Sequence, residues 1–173
     1  NRCLEGYLWN FIDSHDTARF LYSAGNDLRK QKLAAALQLL LPGMPMIYYG
    51  DEVAMDGGPD PDCRRGMLWE ESRQNLDCLA YYRTLIRIRH EHPILTKGLI
   101  TAQYADEEKG ILYMERRLEE KHVIVVFHAG KGNVTLPERE GLGYRVMEGW
   151  KNLINGREFS GILGDYEAAV LAR

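Results

Sequence analysis

The rhythm of apolar positions changes near His92-Pro93 and divides this chain in two. In the first part, Gly6-Tyr7-Leu8-Trp9-Asn10-Phe11-Ile12 is a short apolar run ending in polar residues, the pattern of a buried parallel strand. A polar loop begins at Asp13. Asn26 and Asp27 are placed to cap a helix starting at Leu28, whose apolar positions recur at Leu33, Leu37, Leu40 and Leu41 before Pro42-Gly43 stops it. Met44-Pro45-Met46-Ile47-Tyr48-Tyr49 reads as a second buried strand, closed by Gly50-Asp51-Glu52. A loop rich in Gly and Pro, Asp56 to Gly66, then leads to Ser72, a candidate N-cap for an amphipathic helix through Arg89, ended by Pro93. Residues 1–93 therefore read as two β-loop-α units. Such units stack into a parallel sheet covered by helices, and two of them cannot close a barrel or a doubly wound sheet, so further units are expected upstream of Asn1.

From Leu99 onward the pattern alternates in short stretches: Leu99–Tyr104, Ile111–Arg117, Val123–Phe127, Tyr144–Met147 and Ala168–Ala172. Glu107–Lys109, Glu119–Lys121 and Asn155-Gly156 between them are turn material. Residues 94–173 are predicted to form an antiparallel β-sandwich.

Composition adds mostly exclusions. A chain with 45% hydrophobic and 27% charged residues is that of a soluble globular protein. The net charge of −3, from 22 basic and 25 acidic residues spread along the chain, offers no basic patch for a phosphate backbone, so no nucleic-acid partner is expected. No apolar run approaches the roughly 20 residues that cross a bilayer, and no membrane partner is expected either. Cys3, Cys63 and Cys78 are odd in number and lack metal-like spacing, which fits idle thiols in a reducing, cytoplasmic setting. His90, His92, His122 and His128 show no ligand spacing, so neither a metal nor a cofactor is inferred.

Chemistry concentrates in the loops after the two predicted strands, where α/β barrels carry their reacting groups. The first loop, NFIDSHDTAR at residues 10–19, places Asp13, His15 and Asp16 within four positions. Turn formation is an equal explanation of these residue types, with Asp16-Thr17 merely capping the segment from Ala18 to Leu21. The second, GMPMIYYGDE at residues 43–52, continues into GGPDPDCRRGMLWE at residues 57–70, where Asp60 and Arg64 stand four apart. These segments, in this order, resemble signature regions of the α-amylase family of glycoside hydrolases, nearest to its neopullulanase, cyclomaltodextrinase and maltogenic amylase branch. The resemblance spans roughly residues 7–93.

The resemblance implies the last two β-α units of a TIM (β/α)8 barrel followed by a C-terminal β-sandwich, and a retaining hydrolase of α-1,4 or α-1,6 linked glucans or cyclodextrins. It gives Asp16 the part of the family's third carboxylate, which stabilises the cationic transition state, and His15 that of a hydrogen-bond donor to the same sugar ring. Asp60 and Arg64 match a pair that faces the substrate, a loop-stabilising ion pair being the plainer alternative. Asp51 and Glu52 read as strand-end structural carboxylates, and Tyr48, Tyr49, Tyr81 and Tyr82 as packing residues. Neither the family's nucleophile segment nor its acid segment occurs in these residues. The chain alone is therefore expected to be inactive, and its bare strand edge to drive self-association. The competing reading is a non-catalytic amylase-like carbohydrate-binding or subunit protein.

Overall fold

The computed structural model describes residues 7–137 and 149–173, so the predicted strand Tyr144–Met147 and Cys3 lie outside the described residues. The chain divides into two compact units, Asn1–Arg87 and Ile88–Arg173.

In the first unit, β1 (Trp9–Asn10) is followed by the short helix α1 (Phe20–Ser23), the helix α2 (Leu28–Leu40) and β2 (Met44–Pro45), which pairs parallel to β1. The capping reading of α2 holds: the Asp27 side chain accepts from the Arg29 N–H, and Arg29 beside it holds the Asp27 carboxyl down at about 2. The helix ends at Leu40, with Leu41 leaving helical geometry ahead of Pro42-Gly43. It buries Leu33, Leu39 and Leu40 together with three alanines, and also Gln31 and Gln38. The two glutamines have structural work. Gln38 Nε2 donates to the carbonyls of Asn10 (3.3 Å) and Met46 (2.6 Å), while Asn10 Nδ2 donates to that of Pro42 (2.9 Å). Helix and both strands are thus tied by side-chain amides. Gly43 permits the crossing: its φ is +121°, and a Cβ there would stand 2.6 Å from the Leu8 carbonyl oxygen.

The two strands are shorter than predicted, at two residues each, and they are not buried. Tyr7, Leu8, Trp9 and Phe11 are exposed, because within this chain β2 is the only strand that pairs with β1 among the described residues. The second predicted helix is α3 (Leu76–Glu91), burying Cys78, Tyr82, Leu85 and Ile88 at helical spacing. Its cap is Asn75, not Ser72: Asn75 Oδ1 accepts the Cys78 N–H at 2.8 Å, three positions on, while Ser72 sits inside a separate 3-10 turn, Glu71–Arg73.

The second unit begins its sheet after α4 (Ile94–Lys97). Its strands are β3 (Leu99–Asp106), β4 (Ile111–Leu118), β5 (Lys121–His128), β6 (Val134–Thr135), β7 (Lys151–Asn152), β8 (Arg157–Glu158), β9 (Ile162–Leu163) and β10 (Ala168–Ala172). Six form one sheet in the order β3-β4-β5-β10-β7-β8, its described pairings all antiparallel, and β6 pairs with β9 separately. Alternation decides which side chains meet. Ile111 and Tyr113, Ile124 and Val126, and Ala169 and Leu171 point to one face, where Leu136, Trp150, Phe159 and Leu163 complete a core. α4 packs against β4 and β5, and Arg116 Nη2 donates to the Gly98 carbonyl just after that helix. Instead of two comparable sheets, a large sheet carries one two-stranded ribbon among the described residues.

Candidate active site

The loop from Asp13 to Arg19 leaves β1 and is shaped by its own small residues. The Ser14 N–H donates to Thr17 Oγ1 (3.1 Å), and Ser14 Oγ accepts the Asp16 N–H (3.2 Å). This turn puts His15 and Asp16 outward, with side chains 62% and 71% exposed. Asp16 does not cap the helix behind it. The first N–H of α1, that of Phe20, is taken instead by Asp13 Oδ2 at 2.6 Å. Of the three polar residues clustered in sequence, Asp13 is therefore buried beneath the loop while His15 and Asp16 stand on it.

The second loop comes to meet the first. It follows the turn at Tyr49-Gly50 beyond β2 and passes through a 3-10 segment at Asp62–Arg64, after a cis Asp60-Pro61 bond. Arg65 braces it, reaching Asp56 Oδ1 (2.9 Å) and Asp62 Oδ1 (3.1 Å), and the Tyr49 hydroxyl donates to the Arg65 carbonyl (2.7 Å). Arg64 then projects toward the first loop. Its Nε donates to the His15 carbonyl at 3.0 Å and lies 2.8 Å from Asp60 Oδ1, while its Nη2 is 3.7 Å from Asp16 Oδ1. On its other side Asp16 Oδ1 is 3.2 Å from His15 Nε2. The four residues singled out from sequence form one exposed constellation, in which the His15 imidazole and the Arg64 guanidinium flank Asp16 and Asp60 pairs with Arg64 from its own loop.

Beneath it lies a group with no local signature in sequence. Arg19 is fully buried, its backbone N–H donating to the Gly57 carbonyl at 2.9 Å. Its Nη1 donates to the Tyr49 carbonyl (2.8 Å) and meets Asp51 Oδ1 (3.4 Å), and its guanidinium carbon lies 4.5 and 4.8 Å from the ring centres of Tyr48 and Tyr49. Burial, then the neighbouring Asp13 carboxyl, push Asp51 up to about 9, against the opposing pull of Arg19. Asp51, in the 3-10 turn Asp51–Val53, is thus a buried acid beside the Arg19 guanidinium. Glu52 turns back to accept the Gly50 N–H at 2.8 Å, and Tyr82 donates nothing to a site, being buried with its oxygen 3.2 Å from Gln31 Nε2. Among the described residues, no group of three or more His, Cys, Asp or Glu side chains is arranged to hold a metal ion.

Residues 2–74 match the family model described as the α-amylase catalytic domain. The chain is 41% identical over 158 residues to neopullulanase 2 of Thermoactinomyces vulgaris, covering 91% of this chain and 26% of that protein. The chain belongs to the α-amylase family. Within it, the same branch recurs in the cyclomaltodextrinase of a Bacillus species, 41% identical over 75% of this chain and 23% of the relative. A solved structure named cyclomaltodextrinase superposes with a TM-score of 0.77 at 33% identity, over 97% of this chain and 30% of that one. A cyclic α-maltosyl-(1→6)-maltose hydrolase from Arthrobacter globiformis gives 0.77 at 28% identity, over 95% and 35%. This α-amylase family chain spans about a quarter of the length of the curated relatives it matches.

Proposed function

We propose that the chain supplies the charge-stabilising and sugar-binding side of the active site of a retaining α-glucan hydrolase acting on α-1,4 or α-1,6 linked maltooligosaccharides, cyclodextrins or pullulan. In this reading residues 1–93 are the end of a (β/α)8 barrel and residues 94–173 a C-terminal sheet domain. Cleavage passes through an oxocarbenium-like state and needs a nucleophilic carboxylate and a protonating acid. Asp16 is neither. Its carboxylate, held outward between His15 and Arg64, would meet the positive charge that develops on the ring, and a charge fixed in advance acts most strongly in the transition state. His15 donates to the same ring, and Asp60 orients the Arg64 fork toward vicinal sugar hydroxyls. The observation that carries the reading is the meeting of two separate loops at these residues, with Arg64, paired to Asp60, reaching Asp16 and the His15 carbonyl. A cytoplasmic setting suits Cys63 and Cys78, both free and buried.

A chimaera tests this: the chain replaces the matching quarter of the Bacillus cyclomaltodextrinase, and hydrolysis of cyclodextrin and maltotriose is followed. The chimaera should turn over both, the 173-residue chain alone neither. Asp16→Asn in the chimaera should lower kcat by about 10³-fold with little change in KM, since the lost charge matters when the ring becomes cationic. A kcat within a few-fold of the unsubstituted chimaera, or turnover by the chain alone, defeats the proposal. The chain alone is also inferred to self-associate through the exposed apolar residues of its first strand.

A further inference from the structure

Between the two site loops lie three ionisable side chains with almost no access to water: Arg19, Asp51 and Asp13, at 0%, 1% and 3% exposure. Burying an unpaired charge is costly, so the balance of this group is informative. Two carboxylates against one guanidinium would leave a net negative charge in the interior. Asp13 Oδ1 and Asp51 Oδ2 each have no hydrogen-bond donor among the described residues. Burial above all favours a proton on Asp51, and with that proton in place the group is neutral.

Its mechanical reach follows from where each member is attached. Asp13 and Arg19 are the two ends of the loop that carries His15 and Asp16. Tyr49 and Asp51 belong to the turn beyond β2 that leads into the Arg64 loop, and the Arg19 N–H holds Gly57 at the start of that loop. We propose that Arg19 is a positioning residue: seated on Asp51, the Tyr49 carbonyl and the two tyrosine rings, it fixes the first loop against the second, and so sets Asp16 and the His15 carbonyl opposite Arg64. It touches no substrate. The inference rests on the site reading above for its significance, and on geometry alone for its substance.

The Arg64 Nε–H, which donates to the His15 carbonyl 3.0 Å away, reports that registration directly. With 15N-arginine in the 173-residue chain, its resonance and solvent-exchange rate are measured in the unsubstituted protein and in R19K, R19M and L33A. Leu33 is buried in α2 outside the group, so L33A loosens the same unit by a cavity. Both Arg19 variants should shift the resonance and speed exchange by about tenfold or more, the signature of a locally opened contact, whereas L33A should leave them as they are. R19K keeps the charge but cannot span the carbonyl, carboxylate and ring contacts together, so it should not restore the signal. Unchanged exchange in either Arg19 variant overturns the proposal, as does the same change in L33A, or unfolding of both Arg19 variants, which would make Arg19 a folding determinant. No sugar is present, so this result stands apart from the Asp16→Asn kinetics: either can fail without the other.

Discussion

The two units of this chain hold their shape by opposite means. In Ile88–Arg173, the three long antiparallel strands β3, β4 and β5 pair through short hairpin turns, and the side chains that meet between sheet and ribbon are almost all apolar. In Asn1–Arg87 the parallel strands pair over two residues, with large apolar side chains in water, and the elements are joined by polar contacts: the amide of Gln38 with Asn10, the buried pair of Arg19 with Asp51, and the exposed pairs of Arg65 with Asp56 and Asp62. An antiparallel hairpin completes its own ladder, whereas a parallel strand depends on neighbours brought from afar. The loops that carry the candidate residues sit on the second kind of framework, where polar contacts give direction more than stability.

That contrast can be broken, and the largest effect belongs to the apolar unit. Ile124 is fully buried in its core, and Ile124→Ala should cost about 2–5 kcal/mol through lost burial and the cavity left behind. The amides of β4 and β5 should lose hydrogen-exchange protection by the corresponding amount, while those of α2 keep theirs. Equal losses in both units would mean that the two are one cooperative body.

Next comes the buried acid. Asp51 holds its proton up to about 9 when folded, against an ordinary value near 4 when unfolded. Its contribution is thus fully present below about pH 4 and lost as pH rises toward 9. Across that window the folded state binds the extra proton, so stability falls with pH by up to about 1.4 kcal/mol per unit. Asp51→Asn, which keeps the shape of the neutral acid, should flatten this slope in thermal melts of the first unit between pH 5 and 9. A slope as steep in the variant as in the original would place the proton elsewhere.

The smallest effect on stability should come from Trp9, 65% exposed on β1. Trp9→Ser should change unfolding free energy by no more than about 0.5 kcal/mol yet weaken self-association seen by light scattering. A clean monomer of the original chain at tens of micromolar removes the premise.

What sequence could reveal follows the same division. The start of α2 at Asp27 and its stop before Pro42-Gly43 were legible because caps and breakers act within a few residues, and β4 and β5 because alternation repeats. Ser72 misled because any small hydroxyl can cap, and only the tertiary setting puts Asn75 at the helix start. The candidate residues His15, Asp16, Asp60 and Arg64 were singled out through motif resemblance, and the structure brings them together on the surface. Arg19 was not, since its partners lie 30 and 32 positions away and no periodicity links them. Nor could alternation alone foretell that the apolar run around Trp9 would stand in water.

Cys63 gives the site loops a clock. Its sulfur is fully buried 3.5 Å from the His15 carbonyl oxygen, so a thiol reagent reaches it only while the two loops are apart. Cys78, the other described thiol, is buried in α3 and pushed up to about 11, mainly by that burial, which makes it a slow competitor for the same reagent. In a Cys3→Ser background, the labelling rate of Cys63 becomes a count of opening events per second at the mouth of the site.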